Sequence, residues 1–133
     1  MDKKHHRSAV IIIDKNKILL MRRVEDGREY FVFPGGTIEE NETPKETAIR
    51  EIKEETNLDI EIERLLWKFE DEFHVGYYFL AKSFKGEIEL GGPEAKMHCD
   101  ENFFCPDWVK LDKLDNMKLF PEEIKNKIKL EFL

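Results

Sequence analysis

The stretch GGTIEENETPKETAIREIKEETNL, residues 35–58, decides the fold because it predicts a loop followed by a helix with clearly marked ends. Thr43-Pro44-Lys45-Glu46 has the pattern of a capping box, in which the Thr43 and Glu46 side chains each accept from the other residue's backbone N–H. Pro44 suits the first helical position, where its missing N–H would have no partner anyway. Asn57 tolerates the left-handed conformation in which helices commonly end. The helix is therefore predicted from about Pro44 to Thr56.

Three glutamates, Glu51, Glu54 and Glu55, crowd the last turns of this predicted helix. Each is unfavourable there, because a helix C-terminus carries partial negative charge and like charges three or four residues apart repel. At about 100° per residue the three carboxylates share one arc of the helix. That arc borders the predicted apolar stripe, which consists of Ala48, Ile49 and Ile52. The acids are therefore expected at the edge of a cleft between helix and sheet.

Two interpretations of this acidic cluster remain open from the residues alone. In a chain rich in Glu and Lys, a glutamate-rich helix face is often solvated and laced with ion pairs. Alternatively, carboxylates clustered beside an apolar surface raise one another's pKa or hold a cation. Mg²⁺ or Mn²⁺ would be the natural occupant, since both are hard ions that prefer oxygen ligands.

The rest of the chain predicts strands around this helix and a second helix near its end. Ser8–Asp14 and Lys17–Arg23 are expected to form a hairpin, and Tyr30–Phe33 is a short aromatic strand stopped by Pro34 and two glycines. Two longer strands and a final helix follow, at Asp59–Glu70, at Glu72–Phe84, and from Pro121 with Ile124, Ile128 and Leu130 toward the sheet. This order indicates an α/β (α+β) fold, with a mixed β-sheet flanked by helices.

Composition limits the classes of protein that fit. The 133 residues suit one domain, residues 1–133, and the balance of 41% hydrophobic and 38% charged residues is typical of a globular protein. No apolar run approaches the roughly 20 residues that span a bilayer, so we expect a cytoplasmic protein without membrane contact. The net charge of −7 argues against a nucleic acid polymer as partner. Cys99 and Cys105 are expected as reduced thiols.

The spacing of Gly36, Glu42, Arg50 and the following acids resembles a known family motif. Five residues separate Gly36 from Glu42, and seven more precede Arg50-Glu51-Ile52-Lys53-Glu54-Glu55-Thr56-Asn57-Leu58. This resembles the box of the Nudix (MutT-like) hydrolases, G-x5-E-x7-R-E-U-x-E-E-x-G-U, where U is a bulky aliphatic residue. Only Asn57 departs from it, standing where the family has glycine. The resemblance implies a Nudix-type α/β/α sandwich and divalent-metal-dependent hydrolysis of a phosphoanhydride bond.

The resemblance also implies roles for individual residues of the box. The expected metal ligands are Glu51, Glu54 and Glu55, supported by Glu42 and by the close backbone of Gly36. Arg50 resembles the arginine that orients the box carboxylates, and we expect it to pair with one of them. The general base would be Glu54 or Glu51, or an acid outside the box, for which Glu101 is preferred over Glu94 and Asp100.

Substrate contacts are expected around the loop and the preceding strands. Arg23 and Arg22 are candidates for binding a phosphate, and Gly35 and Gly36 would let the backbone approach one. Phe31, with Tyr30 and Phe33, offers a face for stacking on a base. Simpler explanations remain: a solvated strand end for the arginines, a tight turn for the glycines and core packing for the aromatic residues.

The leading functional hypothesis is a Mg²⁺-dependent hydrolase, with Mn²⁺ as a possible substitute, that cleaves a nucleoside triphosphate, normal or modified, into monophosphate and pyrophosphate. The alternatives are a nucleotide-sugar or ADP-ribose diphosphatase and a non-catalytic sensor that binds a nucleotide. In each case the partner is a small-molecule nucleotide, and the protein is expected as a monomer or homodimer.

Overall fold

The computed structural model describes residues 4–88 and 104–133, and these residues form nine strands, two α-helices and one 3₁₀ helix. The elements, in chain order, are β1 His5–Ile11, β2 Ile13–Asp14, β3 Lys17–Glu25, β4 Arg28–Val32, β5 Gly35–Thr37, α1 Pro44–Thr56, β6 Asp59–Glu70, β7 His74–Lys85, β8 Phe104–Lys110, the 3₁₀ helix Leu111–Asn116, β9 Leu119–Phe120 and α2 Glu122–Phe132. They divide into two compact units, residues 4–12 with 34–88 and residues 13–33 with 104–133.

The first unit is a four-stranded mixed sheet with α1 packed on it. Its strand order is β5-β1-β7-β6, in which β1 and β7 are parallel and the other pairs are antiparallel. Helix α1 contacts β1, β5 and β6 and buries Ala48 and Ile52. Successive residues of β1 are buried on both faces of the sheet, as expected for a central strand. The helix that carries the acids is therefore packed against a buried core.

The second unit is also a mixed sheet with a helix. The order β2-β3-β4-β9 contains one parallel pair, β4 with β9, and β8 pairs with β3 along most of its length. Helix α2 contacts β9 and the 3₁₀ helix, and it buries Ile124 and Ile128. Both units thus combine mixed sheets with helices, and the predicted fold class is confirmed. No helix in the described part of the chain is long and apolar enough to cross a membrane.

Three local predictions are wrong. The predicted hairpin of Ser8–Asp14 with Lys17–Arg23 is confined to Ile13–Asp14 against Lys17–Ile18, because Ser8–Ile11 pairs with β7 instead. Leu130 is 87% exposed, since it lies on the face of α2 opposite Ile128. Ile49 is likewise exposed, at the edge of the stripe that α1 buries.

The expectation of reduced thiols is wrong for Cys105, which is disulfide-bonded. Cys99 lies outside the described residues.

Candidate functional site

Both ends of α1 are built as the sequence predicts. Thr43 Oγ1 accepts from the Glu46 N–H at 3.1 Å, and Glu46 Oε1 accepts from the Thr43 N–H at 2.9 Å. At the other end Asn57 has φ +67°, and its N–H donates to the Lys53 carbonyl oxygen. Asn57 therefore ends the helix in the left-handed conformation that glycine would adopt.

Arg50 lies at the centre of the acidic cluster and is shared by several carboxylates. Its Nε is 2.6 Å from Glu42 Oε2, and its Nη1 is 2.9 Å from Glu51 Oε1 and 3.2 Å from Glu54 Oε2. Nη2 also donates to the Thr37 carbonyl oxygen at 3.3 Å. The hydrogen bonds to Glu42, and then those to Glu51 and Glu54, raise the pKa of Arg50 above its already high ordinary value. Arg50 thus acts as the internal counter-ion of these acids.

Glu42 is held more firmly than any other acid of this cluster. Its two oxygens accept from Arg50 Nε and Nη2, from Thr47 Oγ1 at 2.6 Å and from the Glu39 N–H at 3.0 Å. The hydrogen bonds from Arg50, followed by those from Thr47 and Glu39, lower the pKa of Glu42 to about 2. With both oxygens engaged, Glu42 anchors Arg50 to the loop before α1.

Glu55 differs from the other acids because it is mostly buried. Its Oε1 accepts from the Gly35 N–H at 2.8 Å. Burial, followed by the negative charges of Glu51 and Glu54, raises the pKa of Glu55 to about 7, although the Gly35 N–H and the charge of Arg7 oppose the rise. A cation near this buried carboxyl group would stabilise its ionised form.

The two glycines of β5 permit close approach to two different elements, β1 and α1. A Cβ on Gly36 would lie 2.3 Å from Glu51 Cδ, so only glycine leaves room for the Glu51 carboxylate. A Cβ on Gly35 would lie 2.0 Å from the Ser8 carbonyl oxygen, in the neighbouring strand. The double glycine therefore brings the loop backbone against both the acidic cluster and β1.

The donor set of this cluster fits a hard divalent cation, because Glu51, Glu54 and Glu55 offer only carboxylate oxygens. As placed, no three acid, histidine or cysteine side chains of the described residues converge on one point. Glu51 and Glu54 turn to Arg50, while Glu55 turns to Gly35. For a cation to be held, Glu51 and Glu54 must turn away from Arg50, which can remain on Glu42.

The residues of the second unit that were predicted to contact substrate form ion pairs or pack in the core within that unit. Arg22 Nε pairs with Glu29 at 2.6 Å, and Arg23 Nε pairs with Glu25 at 3.3 Å, within the hairpin of β3 and β4. Phe31 is 8% exposed and belongs to the core, which favours the simpler explanation for that aromatic residue. The predicted acids Glu94, Asp100 and Glu101 lie outside the described residues.

Two residues at the site were missed by sequence reasoning. Thr47 is fully buried in α1 and donates to Glu42. A signal for it existed, since Thr47 stands about 40° from Glu51 around the helix, on the acidic arc. Arg7 on β1 is close enough to Glu55 to lower its pKa, and only the pairing of β1 with β5 reveals that proximity.

The comparisons with known proteins identify the family of the chain. The NUDIX domain model matches residues 4–129, so the chain belongs to the Nudix family. It is 32% identical over 96 residues to an 8-oxo-dGTP diphosphatase of Proteus vulgaris, covering 66% of this chain and 86% of that one. Over 63 residues it is 43% identical to a dihydroneopterin triphosphate diphosphatase of Haemophilus influenzae, which covers 45% of this chain and 39% of that protein.

Other relatives cover less of the sequence or agree only in fold. An ADP-ribose pyrophosphatase of Methanocaldococcus jannaschii is 47% identical over 57 residues, covering 41% of this chain and 34% of that protein. Among solved structures, a MutT from a study of Aliivibrio salmonicida and Vibrio cholerae has a TM-score of 0.78 at 24% identity, over 98% of this chain and all of that one. Members of the Nudix family generally use divalent metal ions.

The buried carboxylate leads to a prediction for the metal-free protein. Between about pH 4.5 and 7 the folded state keeps the Glu55 proton that the unfolded chain has released, so the contribution of Glu55 to stability falls as pH rises. Across this window the loss of the Glu55 contribution should lower the free energy of unfolding by about 2–3 kcal/mol. Urea denaturation in EDTA at about pH 5 and about pH 8 measures the fall.

Glu55→Gln should remove most of this pH dependence, because an amide does not titrate. Glu63→Gln is the matched control, since Glu63 is exposed on β6, and it should retain the wild-type slope. An unchanged slope in Glu55→Gln would contradict the assignment to Glu55.

Proposed function

We propose that this chain is a Mg²⁺-dependent pyrophosphohydrolase that cleaves a nucleoside triphosphate, normal or modified, into a monophosphate and pyrophosphate. The observation that carries the proposal is the cluster of Glu51, Glu54 and Glu55 beside the Gly35-Gly36 backbone, in the register of the Nudix box. The names of two relatives support a triphosphate, because one acts on 8-oxo-dGTP and the other on dihydroneopterin triphosphate. Mn²⁺ is the expected substitute ion.

The proposed chemistry depends mainly on positioning and charge, as phosphoryl transfer generally does. A bound divalent ion supplies charge neutralisation on the phosphate oxygens and lowers the pKa of a water molecule. Glu51, Glu54 and Glu55 would hold it, while Glu42 keeps Arg50 beside them. Gly36 leaves the space in which the Glu51 carboxylate lies. We assign the general base to Glu54, Glu51 or Glu101, and a phosphate contact to Arg23 or Arg22.

A second candidate is hydrolysis of ADP-ribose or a nucleotide sugar, which the partial match to an ADP-ribose pyrophosphatase favours. The two activities differ in their products, because a diphosphate ester yields two monophosphates rather than monophosphate and pyrophosphate. The third candidate, a sensor that binds a nucleotide without turnover, would bind but release no product.

The test is a panel of normal and oxidised nucleoside triphosphates, ADP-ribose and nucleotide sugars, incubated with Mg²⁺ and separately with EDTA. We expect hydrolysis of at least one triphosphate with Mg²⁺, none in EDTA, and pyrophosphate among the products. Two monophosphates from ADP-ribose as the preferred reaction would favour the second candidate. Hydrolysis that persists in EDTA, or none on any compound, would contradict the enzyme proposal.

We propose one Nudix domain over residues 1–133, acting as a monomer or homodimer in the cytoplasm on small-molecule nucleotides. Neither a nucleic acid polymer nor a membrane is required as a partner. Sedimentation or light scattering of the purified protein distinguishes the two oligomeric states.

A further inference from the structure

Thr47 contributes a buried hydroxyl group to the network around Arg50. Its Oγ1 donates to Glu42 Oε1 at 2.6 Å and lies 3.1 Å from the Thr43 carbonyl oxygen one turn earlier. A threonine inside a helix commonly satisfies its hydroxyl on the backbone oxygen four residues earlier. Thr56, equally buried in α1, does so on the Ile52 carbonyl oxygen at 2.6 Å. The shorter hydrogen bond of Thr47 goes to a carboxylate instead, and a charged acceptor makes it stronger.

This hydrogen bond, together with that from the Glu39 N–H to the same oxygen at 3.0 Å, fixes the orientation of the Glu42 carboxylate. Oε1 accepts from Thr47 and from Arg50 Nη2 at 3.0 Å, while Oε2 accepts from Arg50 Nε at 2.6 Å. Glu42 therefore holds Arg50 through two parallel hydrogen bonds, a geometry that depends on the plane of the carboxylate. With Nε and Nη2 fixed in this way, Nη1 is directed at Glu51 and Glu54.

We propose that Thr47 is a positioning residue that acts through Glu42 on Arg50, and so sets how strongly Arg50 competes with a divalent cation for Glu51 and Glu54. The second part rests on the metal-dependent function proposed above. Without the hydroxyl, the partly buried Glu42 carboxylate loses its shortest hydrogen bond on Oε1 and rotates about the remaining one from the Glu39 N–H, so Arg50 loses its pair of parallel hydrogen bonds. The guanidinium, no longer aligned by Glu42, then binds Glu51 and Glu54 more closely and opposes the cation.

The first measurement needs no metal and no substrate. In an NMR spectrum of the metal-free protein, the Arg50 Nε–H signal is assigned by its loss in Arg50→Lys. Its hydrogen exchange should be about tenfold faster in Thr47→Val, as expected for the loss of a hydrogen-bonded hold on a charged group. Thr47→Ala should give the same rate as Thr47→Val, and Thr47→Ser, which keeps the hydroxyl, should retain the wild-type rate. Thr56→Val is the matched control and should also retain it.

The second measurement is the dissociation constant of Mn²⁺, followed by electron paramagnetic resonance. Loss of a residue that orients metal ligands typically weakens binding about tenfold or more, so Thr47→Val should weaken Mn²⁺ binding by about tenfold. Thr47→Ser and Thr56→Val should bind Mn²⁺ as the wild type does. A purely structural role would instead make Thr47→Val and Thr56→Val alike.

The outcomes separate this inference from the proposed function. An unchanged Arg50 exchange rate in both Thr47→Val and Thr47→Ala overturns the inference, whether or not the protein hydrolyses any nucleotide. A faster rate with unchanged Mn²⁺ affinity also overturns it, because Arg50 then does not compete with the cation. If the wild type binds no Mn²⁺ and hydrolyses nothing, the proposed function is contradicted, and so is the competition between Arg50 and a cation. The exchange rates still decide whether Thr47 positions Arg50.

Discussion

Glu54→Gln is expected to lower kcat/KM for the preferred nucleotide by about a thousandfold, equivalent to about 4 kcal/mol of transition-state stabilisation. Glutamine keeps the size of the side chain but removes the negative charge that a divalent cation requires. The fold should remain intact, because Glu54 contacts Arg50 only at 3.2 Å and its side chain is 58% exposed. An exposed pair of this kind contributes about 0.5 kcal/mol or less.

The measurement is steady-state kinetics at saturating Mg²⁺, together with urea denaturation of the same samples. Glu40→Gln is the matched control, because Glu40 is exposed in the loop before α1 and its substitution removes the same negative charge. It should keep activity within about twofold of the wild type, as expected for a surface substitution away from the site. If Glu54→Gln keeps a kcat/KM near that of the wild type, Glu54 is not part of the site. A large loss of stability in this variant would mean that the network around Arg50 supports the fold.

Local chemistry made α1 predictable from the sequence. Its start and end depend on contacts within a few residues, at Thr43 with Glu46 and at Asn57, so the predicted bounds Pro44 and Thr56 are those observed. The acidic arc was predictable for the same reason, since it follows from helical periodicity. The box also identifies the family, because its letters are specific and lie in one continuous stretch.

Features that depend on pairing between distant segments were not predictable. The run Ala9–Ile13 is apolar on both faces, which suits a strand buried in the middle of a sheet as well as it suits a hairpin. Only the parallel pairing with β7 decides between them. The influence of Arg7 on Glu55 has the same origin, since β1 and α1 are brought together by the fold. Phe31 likewise reads as a stacking surface until its burial is known.

Gly35→Ala is expected to cost at least about 3 kcal/mol of stability, a large part of what a small domain possesses. The new Cβ would lie 2.0 Å from the Ser8 carbonyl oxygen and 2.7 Å from Ala9 Cα. Both are backbone atoms of the central strand β1, so no side-chain rotation relieves the clash. The strands β1 and β5 must separate, which also breaks the pairing of Ala9 with Gly35. Urea denaturation, monitored by tryptophan fluorescence, measures the loss of stability.

Two other glycine substitutions make this prediction specific. Gly36→Ala meets only the end of the Glu51 side chain, which can rotate away, so it should lower metal affinity far more than stability. Gly27→Ala meets nothing within 4 Å, and its φ of +75° alone should cost about 1 kcal/mol. If Gly35→Ala cost no more than Gly27→Ala, conformational strain alone would explain the loss, and β5 would not be packed against β1 as closely as the structure has it. The order Gly35, Gly27, Gly36 in lost stability therefore tests the backbone contact that places the loop beside the acidic cluster.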